Sequence, residues 1–296
     1  MNKKTKAWIE AMRLRTLPVS VAGVFAGTAV AVLYDSFRIV PALICLLFAV
    51  IAQIASNFAN EYYDFRNGLD RKGREGFRRG VTEGDISPSA MKRATYALLA
   101  ADALLGCTLL WFGGWWMLPI GIAIALFAVG YSTGPYPLSH HGLGDIAVVV
   151  FFGIVPVMLT AYLQAPELCL WPVSLPVSLA VGLMAADVLI VNNYRDCDDD
   201  RAVGKHTTVV IFGRKAMSTV YLLDGIAAIV LAAWALYGLV SPWWGIAAGI
   251  CLLVHVRLWA GIVHRRGAEL NPMLGKTAML LLASSLLMLI ACATAV

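Results

Sequence analysis

Two clusters of amide and carboxylate side chains interrupt a sequence that is otherwise strongly apolar. The first lies in residues 57–70 and the second in residues 192–201, and each follows a long hydrophobic run. Carboxylates that lie close together repel one another unless a cation neutralises them. The two clusters therefore indicate a pair of sites for hard metal ions that face a shared anionic substrate.

The spacing within each cluster is helical. Residues three, four and seven positions apart share one face of a helix. The residues that follow this spacing are Asn57, Asn60, Glu61 and Asp64 in the first cluster, and Asn193, Asp196 and Asp200 in the second. Gly68 is expected to end the first helix, which would let Asp70 turn back toward Asp64.

Oxygen ligands in this pattern favour Mg²⁺, which is usually held by one or two carboxylates together with substrate phosphates. Each cluster is therefore incomplete alone and would be completed by a diphosphate. Nearby basic side chains would contact the remaining phosphate oxygens; they are Arg74, Arg78, Arg79, Arg195, Arg201, Lys205 and Arg214. The predicted chemistry is ionisation of an allylic C–O bond, with metal and basic groups stabilising the departing diphosphate. Two plainer interpretations stay open, namely solvated or salt-bridged carboxylates and basic residues that only anchor the chain at the membrane surface.

The elements that must position these clusters are membrane-spanning helices. Sixty per cent of the residues are hydrophobic and 14% are charged, which excludes an ordinary soluble domain. Apolar runs of about 18 or more residues can each cross a bilayer of about 30 Å. They predict an all-α integral membrane protein with nine spans, at residues 17–33, 39–59, 91–112, 115–132, 144–164, 172–193, 215–236, 240–258 and 275–295.

The distribution of basic residues gives the orientation. If the N-terminus is cytoplasmic, all of the 23 Lys and Arg residues except Arg38 fall on the cytoplasmic side of these spans or at their cytoplasmic ends. This asymmetry follows the positive-inside rule and leaves the C-terminus outside. Both clusters, with their loops at about 60–93 and 194–215, then lie on the cytoplasmic face. The net charge of +5 gives no indication of nucleic-acid binding.

Four stretches of sequence form an ordered set of motifs along nearly the whole chain. They are residues 8–18, residues 57–80 with the first cluster, residues 131–145, and residues 192–214 with the second cluster. In this order they resemble the UbiA-type intramembrane aromatic prenyltransferases, and more narrowly the 1,4-dihydroxy-2-naphthoate polyprenyltransferases of menaquinone synthesis. Two positions depart from the family pattern, since Glu61 stands where Asp is usual and Asp145 stands where Glu is frequent.

The resemblance implies a single domain over residues 1–296, with nine transmembrane helices around a central cavity and a lateral opening for the isoprenoid tail. It implies two Mg²⁺ ions that bridge a polyprenyl diphosphate, and an acceptor that is 1,4-dihydroxy-2-naphthoate. The reaction would release CO₂ and diphosphate and give demethylmenaquinol. The location would be a bacterial cytoplasmic membrane, with the active site facing the cytoplasm. Other aromatic acceptors, 4-hydroxybenzoate or homogentisate, remain alternatives.

Spacing and resemblance together give the candidate site residues. The expected metal ligands are Asn60, Glu61, Asp64, Asp70, Asn193, Asp196 and Asp200. The expected substrate-binding residues are Asn57, Asn60, Arg74, Arg79, Tyr131, Asn193, Arg195, Lys205 and Arg214. The expected catalytic residues are Asp64, Asp196, Asp200 and Asp145.

Four further positions, all between residues 131 and 145, lie outside the two clusters. Tyr131 and Asp145 are expected on the acceptor side, where Asp145 could take a phenolic proton. Alternatively, Asp145 caps the helix that begins after Gly144. His140 and His141 are expected to be loop residues without a role in metal binding.

A secondary transporter is the alternative from another functional class. Transporters place their sites near the membrane midplane on broken helices. The two clusters here lie at the ends of spans, which favours an enzyme.

Overall fold

The protein is built from helices. The computed structural model describes residues 2–73, 75–167 and 171–295, and these contain helices and turns without a strand. The helices are α1 (Lys3–Met12), α2 (Leu17–Leu33), α3 (Ile39–Arg66), α4 (Pro88–Gly113), α5 (Leu118–Gly130), α6 (Gly144–Val148), α7 (Val155–Gln164), α8 (Trp171–Ala202), α9 (Thr208–Ala235), α10 (Trp243–Val263) and α11 (Asn271–Ala293). A π-helical turn, Val149–Ile154, joins α6 to α7.

All nine predicted spans are helical, which confirms the fold class. Within the described ranges, eight helical segments are long and apolar enough to cross a membrane. The ninth segment, Trp115–Gly130, corresponds to the fourth predicted span and is shorter. The structure differs from the predicted span bounds mainly at the helix ends. Helices α3 and α8 extend beyond the predicted spans 39–59 and 172–193 and continue through the two polar clusters, as the helical spacing of those clusters predicted.

The two long helices end at glycines. Helix α3 ends at Arg66, and Gly68 adopts a positive φ of 69°. The backbone N–H of Leu69 then donates to the carbonyl oxygen of Asp64 at 2.9 Å, which closes the turn. Gly204 plays a similar part after α8, with a φ of 74°. The predicted stop at Gly68 is confirmed, and residues 57–66 of the first cluster and 192–201 of the second lie on regular helix.

Helix α8 lies at the centre of the molecule. Most of its apolar stretch is buried, and it contacts α2, α7, α9 and α11. The π-helical turn brings Gly153 so close to α8 that a Cβ there would lie 2.4 Å from the Cα of Gly182. Glycine is therefore required at this crossing, as is common where membrane helices pack tightly. This packing fixes the position of α8 along its axis relative to the neighbouring helices, and with it the position of the polar cluster at its end.

Candidate active site

The two polar clusters line one pocket, although they are more than 120 residues apart in the sequence. The pocket has a volume of about 170 Å³. The polar side chains that line it are Arg13, Thr16, Gln53, Ser56, Asn57, Asn60, Asp64, Arg79, Tyr131, Ser139, Asn192, Asn193, Arg195, Asp196, Asp200, Lys205 and Thr207. The pocket thus lies where the ends of α3 and α8 meet the segments that follow them.

Asp64 joins the two halves of the pocket. Its carboxylate is 1% exposed, and its Oδ2 accepts a hydrogen bond from Lys205 Nζ at 2.9 Å. Lys205 belongs to the turn after α8, so this contact ties the first cluster to the segment that follows the second. Oδ2 also accepts from Asn60 Nδ2 at 3.3 Å and lies 3.8 Å from Arg79 Nη2.

Asn60 is the most connected amide of the first cluster. Its Oδ1 accepts from Arg13 Nη2 at 2.5 Å and from Arg79 Nη2 at 3.0 Å. Its Nδ2 also donates to Ser132 Oγ at 3.1 Å. One turn earlier, Asn57 Nδ2 donates to the backbone oxygen of Met12 at 3.0 Å. The end of α1, the end of α3 and the turn after α5 are therefore linked at the pocket wall.

Arg195 organises the second cluster. Its Nε donates to Asp196 Oδ1 at 2.6 Å and its Nη2 to Asp196 Oδ2 at 2.8 Å, which is a bidentate pair. The same guanidinium donates to Asn192 Oδ1 at 2.9 Å and to Asn271 Oδ1 at 3.0 Å. It also lies over the ring of Phe77, with 5.0 Å to the ring centre. Arg195 and Asp196 are both buried, so this cation is held in place before any substrate arrives.

Four of the expected site residues lie in or beside this region without lining the pocket. Glu61 is buried and accepts the backbone N–H of Val81 at 3.0 Å. Asp70 lies 3.4 Å from Arg79 Nε. Arg214 donates to the Asp198 carboxylate at 2.9 and 3.3 Å and to the backbone oxygen of Tyr194 at 3.3 Å. The fourth is Asp145, which binds Thr208. Arg74 lies outside the described residues.

Asp145 does not cap its helix, so that alternative is wrong. Helix α6 begins at Gly144 with Leu143 at the cap position, and Asp145 lies in the first turn. Its Oδ2 accepts a hydrogen bond from Thr208 Oγ1 at 2.7 Å, which ties α6 to the start of α9. Tyr131, by contrast, lines the pocket.

The structure adds polar groups that the sequence analysis did not assign to the site. Arg13, Ser132 and Asn271 all contact cluster residues. His140, expected to be a loop residue, lies in a short helical turn with its Nε2 3.9 Å from Asp64 Oδ1. No spacing rule could have found these contacts, because each partner comes from a distant segment.

The pocket is suited to a metal ion that is completed by substrate oxygens. Among the described residues, no group of three or more His, Cys, Asp and Glu side chains is placed to hold a metal alone. However, Asp64 Oδ1 is buried at the pocket and has no hydrogen-bond partner. An unused carboxylate oxygen beside amide oxygens matches the partial ligand set of a Mg²⁺ site that awaits phosphate oxygens.

A second, apolar cavity adjoins the pocket. Its volume is about 280 Å³, and it is lined mainly by apolar side chains of α3, α4, α5 and α7. Gln53, Ser56, Phe127 and Phe152 line both spaces. A polar, positively charged pocket thus continues into an apolar chamber, which is the shape required by a molecule with a charged head and a hydrocarbon tail.

Comparisons with known proteins agree with this geometry. Residues 20–293 match the model of the UbiA prenyltransferase family. The chain is 39% identical over 250 residues to the 1,4-dihydroxy-2-naphthoate octaprenyltransferase of Escherichia coli, covering 81% of this chain and 80% of that protein. It is 33% identical over 277 residues to the protein of the same name from Mycobacterium tuberculosis, covering 93% and 92%.

Solved structures share the fold at low sequence identity. A UbiA homolog from Aeropyrum pernix superposes with a TM-score of 0.69 at 17% identity, over 91% of this chain and 94% of that one. A UbiA homolog from Archaeoglobus fulgidus, solved with GPP and Mg²⁺ bound, gives a TM-score of 0.62 at 16% identity, over 94% and 99%.

Proposed function

The chain belongs to the UbiA prenyltransferase family, and we propose that it transfers a polyprenyl group from polyprenyl diphosphate to 1,4-dihydroxy-2-naphthoate. The reaction releases diphosphate and CO₂ and forms demethylmenaquinol. The observation that carries this proposal is the junction of two spaces, a cationic pocket lined by both clusters and an apolar chamber beside it. The names of the bacterial relatives support the choice of acceptor.

The diphosphate of the donor binds in the pocket. Arg79, Arg195 and Lys205 are buried cations of the pocket wall. Negative charge builds up on the diphosphate as its C–O bond breaks, so fixed cations stabilise the transition state more than the bound donor. Because these side chains already hold hydrogen bonds within the protein, they need little reorganisation during the reaction.

The oxygen ligands of the two clusters would hold Mg²⁺. The pocket-lining candidates are Asn60, Asp64, Asn193, Asp196 and Asp200, and we propose one ion for each cluster. When bound, Mg²⁺ supplies further neutralisation of the leaving diphosphate. Glu61 and Asp70 act behind this layer, because Glu61 holds the backbone at Val81 and Asp70 lies against Arg79.

The acceptor ring meets the prenyl chain near Tyr131 and Phe127, which line the pocket. The C–O bond of the donor breaks with its electron pair going to diphosphate, and a ring carbon forms the new C–C bond. The bond from that ring carbon to the carboxylate then breaks, and its electron pair restores the aromatic ring as CO₂ leaves. Tyr131, as a neutral phenol, can hydrogen-bond an acceptor oxygen without adding charge beside the carbocation.

The protein resides in a bacterial cytoplasmic membrane, with the pocket on the cytoplasmic side and the C-terminus outside.

The test is a transfer assay on detergent-purified protein with farnesyl diphosphate, Mg²⁺ and one of two acceptors. We expect a prenylated naphthoquinol and CO₂ with 1,4-dihydroxy-2-naphthoate, and no product after addition of EDTA. Product with 4-hydroxybenzoate alone would keep the reaction type and overturn the acceptor. Failure to consume the donor with 1,4-dihydroxy-2-naphthoate, 4-hydroxybenzoate or homogentisate would overturn the proposal.

Two variants on α8 provide a matched pair for this assay. Asp196→Asn removes a carboxylate that lines the pocket, and it should abolish turnover. Asp198→Asn removes a carboxylate two residues away whose side chain is 73% exposed and binds Arg214, and it should leave turnover within about twofold of the original enzyme. Equal loss in both variants would show that the effect is general to the end of α8.

A further inference from the structure

One basic residue of the pocket wall has a backbone conformation that its residue type disfavours. Arg13 follows the last residue of α1 with φ and ψ both at 53°, in the left-handed region. Its backbone N–H donates to the carbonyl oxygen of Glu10 at 3.1 Å, which closes the end of the helix. Glycine is the usual residue at such a position, because it has no Cβ to be strained. Glycine would place no side chain in the pocket, so the strained backbone points to a task for the Arg13 side chain.

The guanidinium of Arg13 lies between the level of Asp64 and the apolar chamber. Its Nη2 donates to Asn60 Oδ1 at 2.5 Å, and the backbone oxygen of the residue before it accepts from Asn57. At about 1.5 Å of rise per residue, Asn60 and Asn57 lie about 6 and 10 Å before Asp64 along α3. Ser56, which precedes Asn57, lines both the pocket and the chamber. Arg13 is thus on the chamber side of Asp64.

The same guanidinium lies close to the place proposed for the acceptor ring. Asn60 Nδ2 donates to Ser132 Oγ at 3.1 Å, and Ser132 follows Tyr131 in the chain. A single amide group therefore joins Arg13 to the segment that carries Tyr131. Glu61 lies within electrostatic range of Arg13 but does not line the pocket. These neighbours hold the guanidinium at the pocket wall before the acceptor binds.

The proposed reaction brings a carboxylate to this part of the pocket. The allylic carbon of the donor is directly bonded to the diphosphate, and the prenyl chain behind it extends into the chamber. The ring carbon that attacks the allylic carbon carries the carboxylate that later leaves as CO₂. This carboxylate therefore lies on the chamber side of the diphosphate, and it stays ionised because CO₂ leaves only from the ionised group. A buried anion at this position needs a cation and hydrogen-bond donors.

From these positions we propose that Arg13 binds the carboxylate of the aromatic acceptor. A guanidinium can pair with a carboxylate through two parallel hydrogen bonds. Its five N–H donors let it bind Asn60 and a carboxylate at the same time. The contact distinguishes acceptors that carry a ring carboxylate from those that lack one. The inference rests on the proposed function, since it assumes that an aromatic carboxylate enters the pocket.

The experiment measures KM for each substrate, together with the inhibition constant of naphthalene-1,4-diol under anaerobic, reducing conditions. This diol is the acceptor without its carboxylate. In Arg13→Gly, KM for 1,4-dihydroxy-2-naphthoate should rise about tenfold or more, because a hydrogen-bonded ion pair is lost. KM for farnesyl diphosphate and the inhibition constant of the diol should each stay within about twofold of the original values. Arg13→Lys keeps the charge but not the paired geometry, so KM for the acceptor should rise by a smaller factor.

Two controls separate this role from a structural one. Glycine fits the left-handed backbone, so the Tm of Arg13→Gly should stay within about 3 °C of the original. Arg15→Met changes an exposed cation two residues away that does not line the pocket, and it should leave KM for the acceptor within about twofold.

Three results would overturn the inference. They are an unchanged KM for the acceptor in Arg13→Gly, an equal loss of affinity for the diol, and a rise in KM for farnesyl diphosphate as large as that for the acceptor. The last of these would assign Arg13 to the diphosphate instead. Arg13→Lys gives the same comparison if Arg13→Gly does not turn over. Absence of product with the original protein would contradict the proposed function itself.

Discussion

Removing the ammonium group of Lys205 should destabilise the folded protein by leaving a buried carboxylate without its closest cation. Lys205 Nζ lies 2.9 Å from Asp64 Oδ2, and the two side chains are 10% and 1% exposed. In Lys205→Met the carboxylate keeps only Asn60 Nδ2 at 3.3 Å and Arg79 Nη2 at 3.8 Å on that oxygen. The charge therefore stays buried while its strongest hydrogen bond is lost.

The size of the effect follows from this geometry. At an effective dielectric constant of about 20, unit charges at this distance attract by about 6 kcal/mol, and desolvation offsets much of that attraction. Breaking a buried ion pair by removing one partner typically costs about 3–5 kcal/mol. Because Arg79 remains nearby, we expect the lower end, about 3 kcal/mol, which corresponds to a fall in Tm of roughly 6–12 °C.

Thermal unfolding of purified protein in one detergent measures this change. Lys276→Met is the matched control, since Lys276 is exposed and forms no ion pair with the described residues. The double variant Lys205→Met with Asp64→Asn should be more stable than Lys205→Met alone, because no unpaired charge remains. A Tm of Lys205→Met equal to that of the control, or additive effects in the double variant, would refute the reasoning.

Three further predictions test other parts of the structure. Arg79→Ala should raise the KM for prenyl diphosphate by about tenfold or more, because this buried guanidinium lines the pocket. Arg214→Ala, which changes a residue outside the pocket lining, should leave that KM unchanged. Steady-state kinetics measure both values. Gly153→Ala should cost about 2 kcal/mol or more in thermal unfolding because its Cβ would meet backbone atoms of α8, while Gly249→Ala, with open space around its Cβ, should be neutral. Hydrogen bonds from Lys3 and Arg78 lower the pKa of Asp85 in the folded protein. The carboxylate of Asp85 should therefore stabilise the fold fully above about pH 4, and this stabilisation should be lost as the pH falls through the pKa of Asp85 in the folded protein. The Tm difference between the original protein and Asp85→Asn should accordingly be smaller at pH 3 than at pH 7.

The spans were predictable because lipid imposes a simple rule on sequence. Each membrane helix needs a long apolar run, and basic residues collect on one side. The ends of α3 and α8 were less predictable, since the apolar run stops before the helix does. Nothing in hydropathy indicates that a polar segment such as 60–66 continues as helix; the glycine that follows it gives the better signal.

Helical spacing also predicted much of the pocket. Asn57, Asn60 and Asp64 line it as expected. Glu61 belongs to the same stripe but lies at its edge, where the backbone at Val81 occupies its carboxylate. The helix face that this spacing defines is wider than the pocket. Spacing alone therefore could not distinguish the residues that line the pocket from those that lie beside it.

Contacts between distant segments account for the rest. The sequence placed Lys205 near a diphosphate, but its hydrogen bond to Asp64 depends on how the turn after α8 folds back. Arg214 was expected at the substrate, yet a non-helical φ of 83° at Gly213 precedes it, and its guanidinium binds Asp198. The directions in which these two side chains point are set by tertiary packing, and no periodic pattern in the sequence indicates them.

The central claim is that the two clusters form one Mg²⁺-dependent diphosphate site. The most direct test is binding of geranyl thiolodiphosphate, which resists ionisation, with and without Mg²⁺, to the original protein and to Asp64→Asn and Asp196→Asn. We predict tight binding only with Mg²⁺ in the original protein, and loss of most of that Mg²⁺-dependent affinity in each variant alone. Undiminished Mg²⁺-dependent binding in either variant would contradict the claim that both clusters hold the same substrate.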